Sequence, residues 1–360
     1  MSTIRVNAIQ NTNANSGNML LHANGNVSMT TSNTTLFIGN TAISNAGISV
    51  GGVAVNPFGG KNRIINGDFK IWQRSSGSAT SVTSNGVGYT GPDRFFLYQN
   101  NVSPGVQSVR VAGPTGFQYA LKWGRPSGNT KTDVTVMGQA LETSNSIDLA
   151  GQTITLSFWA KAGDNFSSSA NGLYVSIYSG TGTDQSASNM TTASWTGSAT
   201  PIATTQTLTT TWTRYTFTGT LGSTVSQLGL YMNWVPTGTA GADDYVYITG
   251  IQLEVGSVAT PFEFRQYGTE RALCERYYID FRDVYPGFIN SGTTTVIRFT
   301  LPLPVEMRAS PTVTYYGVDA GYSTTNLGGS GNTKRINTEI SASARTDFRP
   351  GLSIRAEIEL

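Results

Sequence analysis

Apolar side chains in this chain recur at every second position in short runs, the spacing that places them on one face of a β-strand. In residues 152–160, Ile154, Leu156 and Phe158 share a face. Residues 173–178 set Leu173, Val175 and Ile177 against Tyr174, Ser176 and Tyr178. Residues 211–218 set Thr213, Tyr215 and Phe217 against Trp212, Arg214 and Thr216, and 228–234 and 245–255 complete the set. Gly- and Ser-rich turns separate the runs, and many short strands joined this way make a sandwich of two sheets. Charged residues are only 12 % of the 360, about half the usual share. Ser, Thr, Asn and Gly fill the deficit, so the expected class is all-β with many loops.

One stretch breaks the pattern. Residues 251–278 read IQLEVGSVATPFEFRQYGTERALCERYY. Ile251, Leu253 and Val255 fall on one strand face, with Gln252 and Glu254 on the other. Gly256 ends the strand, and Pro261 restricts the chain to an extended path through Phe262, Phe264 and Tyr267. Gly268-Thr269 marks a helix start with Thr269 as N-cap, which predicts a helix over 270–278. This segment resembles a recurrent one of bacteriophage tail-fibre and related virion proteins, which read much like QLE-G-ATPFE followed by a short E-LC-RYY helix. Residues 62–74, NRIINGDFKIWQR, resemble the opening of the same module. The resemblance spans roughly 62–314. It implies a jelly-roll sandwich related to carbohydrate-binding modules.

The first 60 residues hold too few apolar side chains for a core of their own. Ile4, Val6 and Ala8 alternate with polar residues, and 19–21 read as a second short strand. Ile38, Ile43, Ile48 and Val53 then recur at intervals of five. Several copies twisted around one axis would bury such a series, as in a fibre; the alternative is a flexible linker. After the helix, Ile297, Phe299 and Leu301 alternate, and Pro302, Pro304 and Pro311 confine their neighbours to edges and turns. Residues 306–316, EMRASPTVTYY, resemble the strand that follows the RYY helix in these fibres. Residues 321–332 read as a Gly/Ser/Asn loop. Leu352, Ile354, Ala356, Ile358 and Leu360 alternate with Ser353, Arg355, Glu357 and Glu359. A run so well patterned must be paired, centrally or against a neighbouring copy. The expected organisation is an N-terminal fibrous stalk or virion-attachment segment (1–60), a central jelly-roll β-sandwich (61–265), a short linking helix (266–280) and a small C-terminal β-domain (281–360) that serves as tip or oligomerisation domain.

Net charge is +2 with no long basic run, which argues against a nucleic-acid groove. No stretch approaches the roughly 20 apolar residues of a membrane span, and the first ten residues lack a signal-peptide h-region. Cys274 is the only cysteine, so no disulfide forms within one chain. His22 is the only histidine, which leaves Ser-His-Asp and Cys-His sites without a nearby base and excludes an ordinary zinc site. Cys274 reads as a small packed hydrophobe. Of 21 acidic residues only Asp243-Asp244 stands out as a pair, and its default reading is a solvated turn. The expectation is a protein without turnover.

Two sets of candidate binding residues remain. Sugar binding uses exposed aromatic faces. Trp123, Trp195 and Trp234 stand beside Gly, Ser, Asn or Pro and are the candidates for loop platforms, Trp72 and Trp159 are read as packing residues, and Trp212 is open to either role. The family resemblance adds a structural calcium near the start of the module and its last strand, with Asp68 and Glu254 in those places. The resulting expectation is a phage tail fibre, assembled in the host cytoplasm and carried on the virion. It would be a homotrimer that contacts other virion proteins and host-surface polysaccharide, with no cofactor beyond that calcium. The rival readings are a capsid or tail decoration protein, a polysaccharide depolymerase and a non-viral adhesin.

Overall fold

The computed structural model describes residues 60–75, 77–82, 86–99, 105–170, 172–284, 299–316, 332–338 and 353–360 with their side chains, and elsewhere only the strands named below. Met1–Lys61 with Val258–Pro261 form one compact unit; Asn62–Ser257 with Phe262–Leu360 form a second.

In the first unit, β1 (Ala8–Ile9), β2 (Met19–Leu21) and β3 (Val27–Met29) make a three-stranded meander. A four-stranded meander follows: β4 (Leu36–Ile38), β5 (Thr41–Ser44), β6 (Gly47–Val50) and β7 (Val53–Val55). Its register aligns Leu36 with Ile43, Ile43 with Ile48 and Ile48 with Val55. Of the series spaced by five, Ile43 and Ile48 pair directly, whereas Ile38 lies opposite Thr41 and Val53 opposite Val50. Ile4, Val6 and His22 lie outside the described residues.

The second unit contains the sandwich. Its strands are β8 (Thr80–Ser81), β9 (Gly86–Gly88), β10 (Phe96–Gln99), β11 (Gln107–Ala112), β12 (Tyr119–Arg125) and β13 (Thr135–Ala140). They continue with β14 (Thr153–Ala162), β15 (Leu173–Gly180), β16 (Ala199–Gln206), β17 (Thr213–Thr220), β18 (Gln227–Trp234) and β19 (Asp244–Val255). The front sheet runs β16-β15-β18-β13-β10-β9 and the back sheet β17-β14-β19-β12-β11-β8, both antiparallel. The chain crosses repeatedly between the sheets, which gives a jelly roll. The alternation read in the sequence sets the layers: Ile154, Leu156 and Phe158 of the back sheet meet Leu173, Val175 and Ile177 of the front sheet in one core, all fully buried. Val255 departs from this pattern and is half exposed at the end of β19.

Residues 181–211 hold a short helix α1 (Ala187–Thr191) and the edge strand β16. Ala187, Met190 and Trp195 are buried against the outer side of the front sheet, and Ile202 enters the main core.

The two segments that carry the family resemblance meet in space. Asn62 receives the Ile64 and Leu253 amides on Oδ1, each at 3.0 Å, and donates Nδ2 to the Ile251 carbonyl. Asn66, at φ +60°, bonds Ile71 in both directions and donates to Asp93. A Cβ on Gly67 would strike the Ile251 carbonyl, so only glycine fits the crossing. From the helix side, Glu270 accepts the Asn66 amide at 2.5 Å, and Arg265 donates to the Ile64 and Asn62 carbonyls. The shared motifs thus form a clasp that closes the sandwich.

Helix α2 spans Tyr267–Glu275 with Gln266 at its N-cap, earlier than expected from Thr269. Glu270 is drawn to Asn66 and Arg265, and this sets the first turn. Cys274 is fully buried among Ile65, Ile71 and Tyr277, and burial pushes its thiol well above the ordinary value.

Beyond the helix, β20 (Tyr278–Val284), β21 (Ile289–Ser291), β22 (Thr295–Pro302), β23 (Thr312–Tyr316), β24 (Gly328–Asn332), β25 (Arg335–Ala342), β26 (Arg345–Phe348) and β27 (Leu352–Glu357) form three small sheets. Strand β27 is central, between β20 and β23, as its patterning requires. The Gly/Ser/Asn stretch is a strand over Gly328–Asn332, where it pairs with β25; 321–327 lie outside the described residues. Met307, Ile336, Ile354 and Ala356 make a small separate core. This β unit is pinned to the sandwich by Arg74, which pairs with Glu357 at 2.8 Å and Glu359 at 3.0 Å, and by the buried Arg94–Glu359 pair. Arg94 and Arg74 also stack on Tyr277 and Tyr278, at 3.4 and 3.8 Å.

Candidate functional site

The outward side of the front sheet carries a band of tyrosines. On β15, Tyr174, Ser176 and Tyr178 point away from the core that takes Leu173, Val175 and Ile177. The pairing register then builds a straight row across five strands. Tyr98 lies opposite Val136, Val136 opposite Asn233, Asn233 opposite Tyr174, and Tyr174 opposite Thr205. Tyr231 lies one step along the sheet, its ring 5.4 Å from that of Tyr178 and 6.5 Å from that of Tyr174. Tyr98, Tyr174 and Tyr178 are half-buried. Burial, reinforced by the neighbouring Tyr178 and opposed by a hydrogen bond with Asn233, pushes the Tyr231 phenol up to about 12.

One end of this face is closed. Met190, Trp195 and Leu360 pack there with Phe96, Val136 and Ala140, and a Cβ on Gly229 would run into Met190. The other end opens into a depression of about 290 Å³ lined by Ser168, Ser169, Tyr174, Thr205, Asn233 and Val235. The loop bearing the two serines is held from behind by a buried ion pair. Asp244 bonds Arg125 Nε at 2.8 Å, the Ser167 amide at 2.8 Å and the Ser167 hydroxyl at 3.0 Å. Both side chains of that pair are fully buried. Asp244 is therefore not part of a solvated turn, and Asp243, beside it, is engaged by Lys122 and Tyr247. The row and depression can stack a ring's C–H face on tyrosine and bond hydroxyls with amide and hydroxyl groups.

The tryptophans expected to be platforms are buried, although Trp234 still borders the depression. Trp123 sits mid-strand in β12 and Trp234 ends β18; they are 0 % and 1 % exposed and meet edge-to-face at 6.5 Å inside the core. Trp195 is 3 % exposed beneath the tyrosine band, with its indole N–H on the Ser186 carbonyl. Glycine beside Trp123 marks close strand packing, not a loop, since a Cβ on Gly124 would strike the Asp244 carbonyl. Trp72 is buried, as expected of a packing residue, whereas Trp159 and Trp212 are half-buried. What sequence reasoning missed was the tyrosines, although the alternation of Tyr174 and Tyr178 against an aliphatic face was their signal.

The calcium pair fares no better. Asp68 is bound to Lys70 at 3.1 Å and Glu254 accepts from Gln252 at 2.8 Å. Among the described residues no three Asp, Glu, His or Cys side chains gather. With a lysine ammonium already on Asp68, this pair does not supply the oxygen cage that calcium needs.

No protein-family model matches the sequence, and no curated protein does. Solved structures of similar shape include the enzymatically active domain of bacteriophage CBA120 tailspike protein 4 (14 % identity, 54 % of this chain and 22 % of that one, TM-score 0.31). The CBM22-1 xylan-binding domain of Paenibacillus barcinonensis Xyn10C is also similar (13 % identity, 50 % of this chain and 94 % of that one, TM-score 0.29). A CBM4 structure compares at 18 % identity, 53 % and 98 % coverage and TM-score 0.29. The chain thus spans less than a quarter of the tailspike domain it resembles. Likeness at this level carries no functional weight.

Proposed function

We propose that the protein is a bacteriophage tail fibre or similar virion appendage, a homotrimer that attaches to host-surface polysaccharide through the tyrosine face and turns nothing over. The observation that carries this reading is the row Tyr98–Val136–Asn233–Tyr174–Thr205, which crosses five strands and ends in a depression of about 290 Å³. The rings of Tyr98 and Tyr174 stand at two points of this row, with the fully buried Val136 and the Asn233 amide between them, which suits a ligand of more than one sugar unit. Their faces meet the C–H side of a pyranose, while Asn233, Thr205 and Ser169 meet its hydroxyls. Among the described residues the depression is lined by no Asp, Glu, Lys, Arg or His, which favours a neutral stretch of glycan. Hydrolysis needs a carboxylate pair flanking the sugar, and none lines this depression.

The phage assignment draws on the two sequence signatures at 62–74 and 251–278. Trimerisation draws on the first unit, where Leu36, Ile43, Ile48 and Val55 fall in one row across four strands, a pattern suited to cover by further copies. Weak contacts repeated on one particle then multiply into firm attachment.

The test is calorimetric titration of the full chain with neutral oligosaccharides and with isolated host-surface polysaccharide. Saturable binding is expected, weakened about tenfold by Tyr174→Ala. Absence of binding to every member of the series would withdraw the adhesion reading. Native mass measurement with electron microscopy tests the assembly, for which an elongated three-fold particle is expected and a compact monomer would refute it.

A further inference from the structure

We propose a second ligand site, a basic pocket for a hexuronate unit of an acidic polysaccharide, where the opening signature, α2 and β20 meet. The pocket has a volume of about 400 Å³ and is lined by Lys70, Arg110, Arg271 and Arg282, with Asp280 the one carboxylate in its wall. Its size lies in the range of small-ligand sites, roughly 300–1,000 Å³. It is separate from the tyrosine face and does not depend on that reading.

The cations divide into two kinds. Lys70 is fixed in the wall by Asp68 at 3.1 Å and the Arg265 carbonyl at 2.8 Å. Arg110 reaches the Lys70 carbonyl at 3.4 Å and stacks on Tyr119 at 4.5 Å. Arg271 and Arg282 stand at the rim, with side chains 45 % and 61 % exposed. Each is held by a carboxylate through Nε: Arg271 to Glu275 at 2.7 Å, Arg282 to Asp280 at 3.1 Å. Arg271 is also joined to Tyr267 by a side-chain hydrogen bond, which sets the ring beside the guanidinium, and Arg282, anchored at Nε, turns its Nη edge to a second anion, the geometry by which arginine grips carboxylates in pairs. Asp280 is shared, since it also accepts from Tyr316 and lies 3.8 Å from Arg355 Nε. Even with Asp68 and Glu275 counted, four cations face three carboxylates, so the pocket keeps a positive surplus.

Tyr267 chooses among anions. It lines the pocket and is 57 % exposed, one of the few large apolar side chains of the described residues left so open. A bare sulfate or phosphate has no use for an aromatic ring, whereas a pyranose bearing a carboxylate uses both the ring and the arginines.

The experiment titrates the full chain with oligogalacturonate, with the same oligomer reduced to neutral galactose units, and with inorganic sulfate. Oligogalacturonate is expected to bind, to weaken as salt rises, and to lose at least about tenfold in affinity in Arg282→Gln and in Arg271→Gln. Tyr267→Ala should weaken oligogalacturonate and leave sulfate unchanged. Tyr174→Ala should leave oligogalacturonate binding intact, which keeps the fate of this pocket distinct from that of the tyrosine face. Equal affinity for the neutral oligomer in the Tyr174→Ala background, no uronate binding, or uronate binding unmoved by the arginine replacements would overturn the proposal. So would a Tyr267→Ala variant that leaves uronate binding unaltered, because the pocket would then be a plain anion site. Both arginines are well exposed, so the variants test recognition and not folding.

Discussion

The two outward faces of the sandwich carry similar rings and use them differently. On the front, Tyr98 and Tyr174 stand in one row with Asn233, Tyr231 and Tyr178 lie further along the sheet, and no charged residue stands in the row. On the back, Lys122, Tyr247 and Lys161 lie opposite one another across β12, β19 and β14. Lys122 lies 4.1 Å from the Tyr245 ring centre and bonds Asp243 at 2.9 Å, and Lys161 lies 4.6 Å from the centre of Tyr247. Tyr247 donates to Asp243 at 2.7 Å, Tyr245 to Gln107 at 3.2 Å, and Trp212 meets Tyr247 edge-on at 6.4 Å. A ligand arriving at the back must break these contacts first and leave polar groups unsatisfied. At the front it meets ring faces and an open depression. Half-buried aromatics therefore mark a site where they border an open depression, not where ion pairs and cation–π contacts cover them.

The largest effect is expected where the two faces are coupled. Asp244 belongs to the back sheet, but through Ser167 it holds the loop that walls the front depression. Asp244→Ala strands a fully buried Arg125 guanidinium, a loss of about 3–5 kcal/mol. Urea denaturation should read that loss, and oligosaccharide binding at the front should fall with it. A variant as stable as the parent would mean that Arg125 is satisfied by the carbonyls of Asn129, Lys131, Gly238 and Thr237 alone.

Next in size is the exchange between faces. Tyr174→Ala should cost about tenfold in glycan affinity with little change in stability, because its ring is half-buried at the open end. Tyr247→Ala should do the reverse, lowering stability by about 1–2 kcal/mol through the lost Asp243 bond and Lys161 contact while binding is unmoved. Should the two variants swap these outcomes in calorimetry and thermal melting, the back face is the ligand site.

How far the sequence foretold this contrast depends on the element. Strands with one buried face were legible: the run read at 152–160 is β14 at Thr153–Ala162, and the closing run is β19 at Asp244–Val255. Strand β16 was not, since among its eight residues only Ile202 is buried. The helix start was misplaced because a tertiary contact, Glu270 on the Asn66 amide, outweighs the local cap at Thr269. The site was misread for a similar reason. Gly124 beside Trp123 and Asn233 beside Trp234 suggest loops in the sequence, yet glycine there lets a strand approach, and the largest rings fill the core. The tyrosines were visible as the polar half of an alternating run. Which half faces a ligand is decided by what covers each sheet, and α1 and Leu360 come from far along the chain.

The smallest effect, and the sharpest separation of the faces, lies in pH. On the back, burial works against the Asp243 carboxylate, but hydrogen bonds from Lys122 and Tyr247 prevail and hold it below its ordinary 3.8. A lowered acid contributes stability that is present above that ordinary value and is lost as pH falls through the folded one. On the front, burial raises the Tyr231 phenol from 10.0 to about 12. A raised phenol contributes stability that is complete below 10.0 and is lost as pH climbs towards 12. Asp243→Asn should therefore flatten the acid limb of the stability curve and leave the alkaline limb alone, and Tyr231→Phe should do the opposite. Chemical denaturation across the pH range, alongside ultraviolet titration of the phenols, reads both limbs. If one substitution altered both limbs, the faces would be coupled through the core, and the front could not be treated as a surface set aside for a ligand.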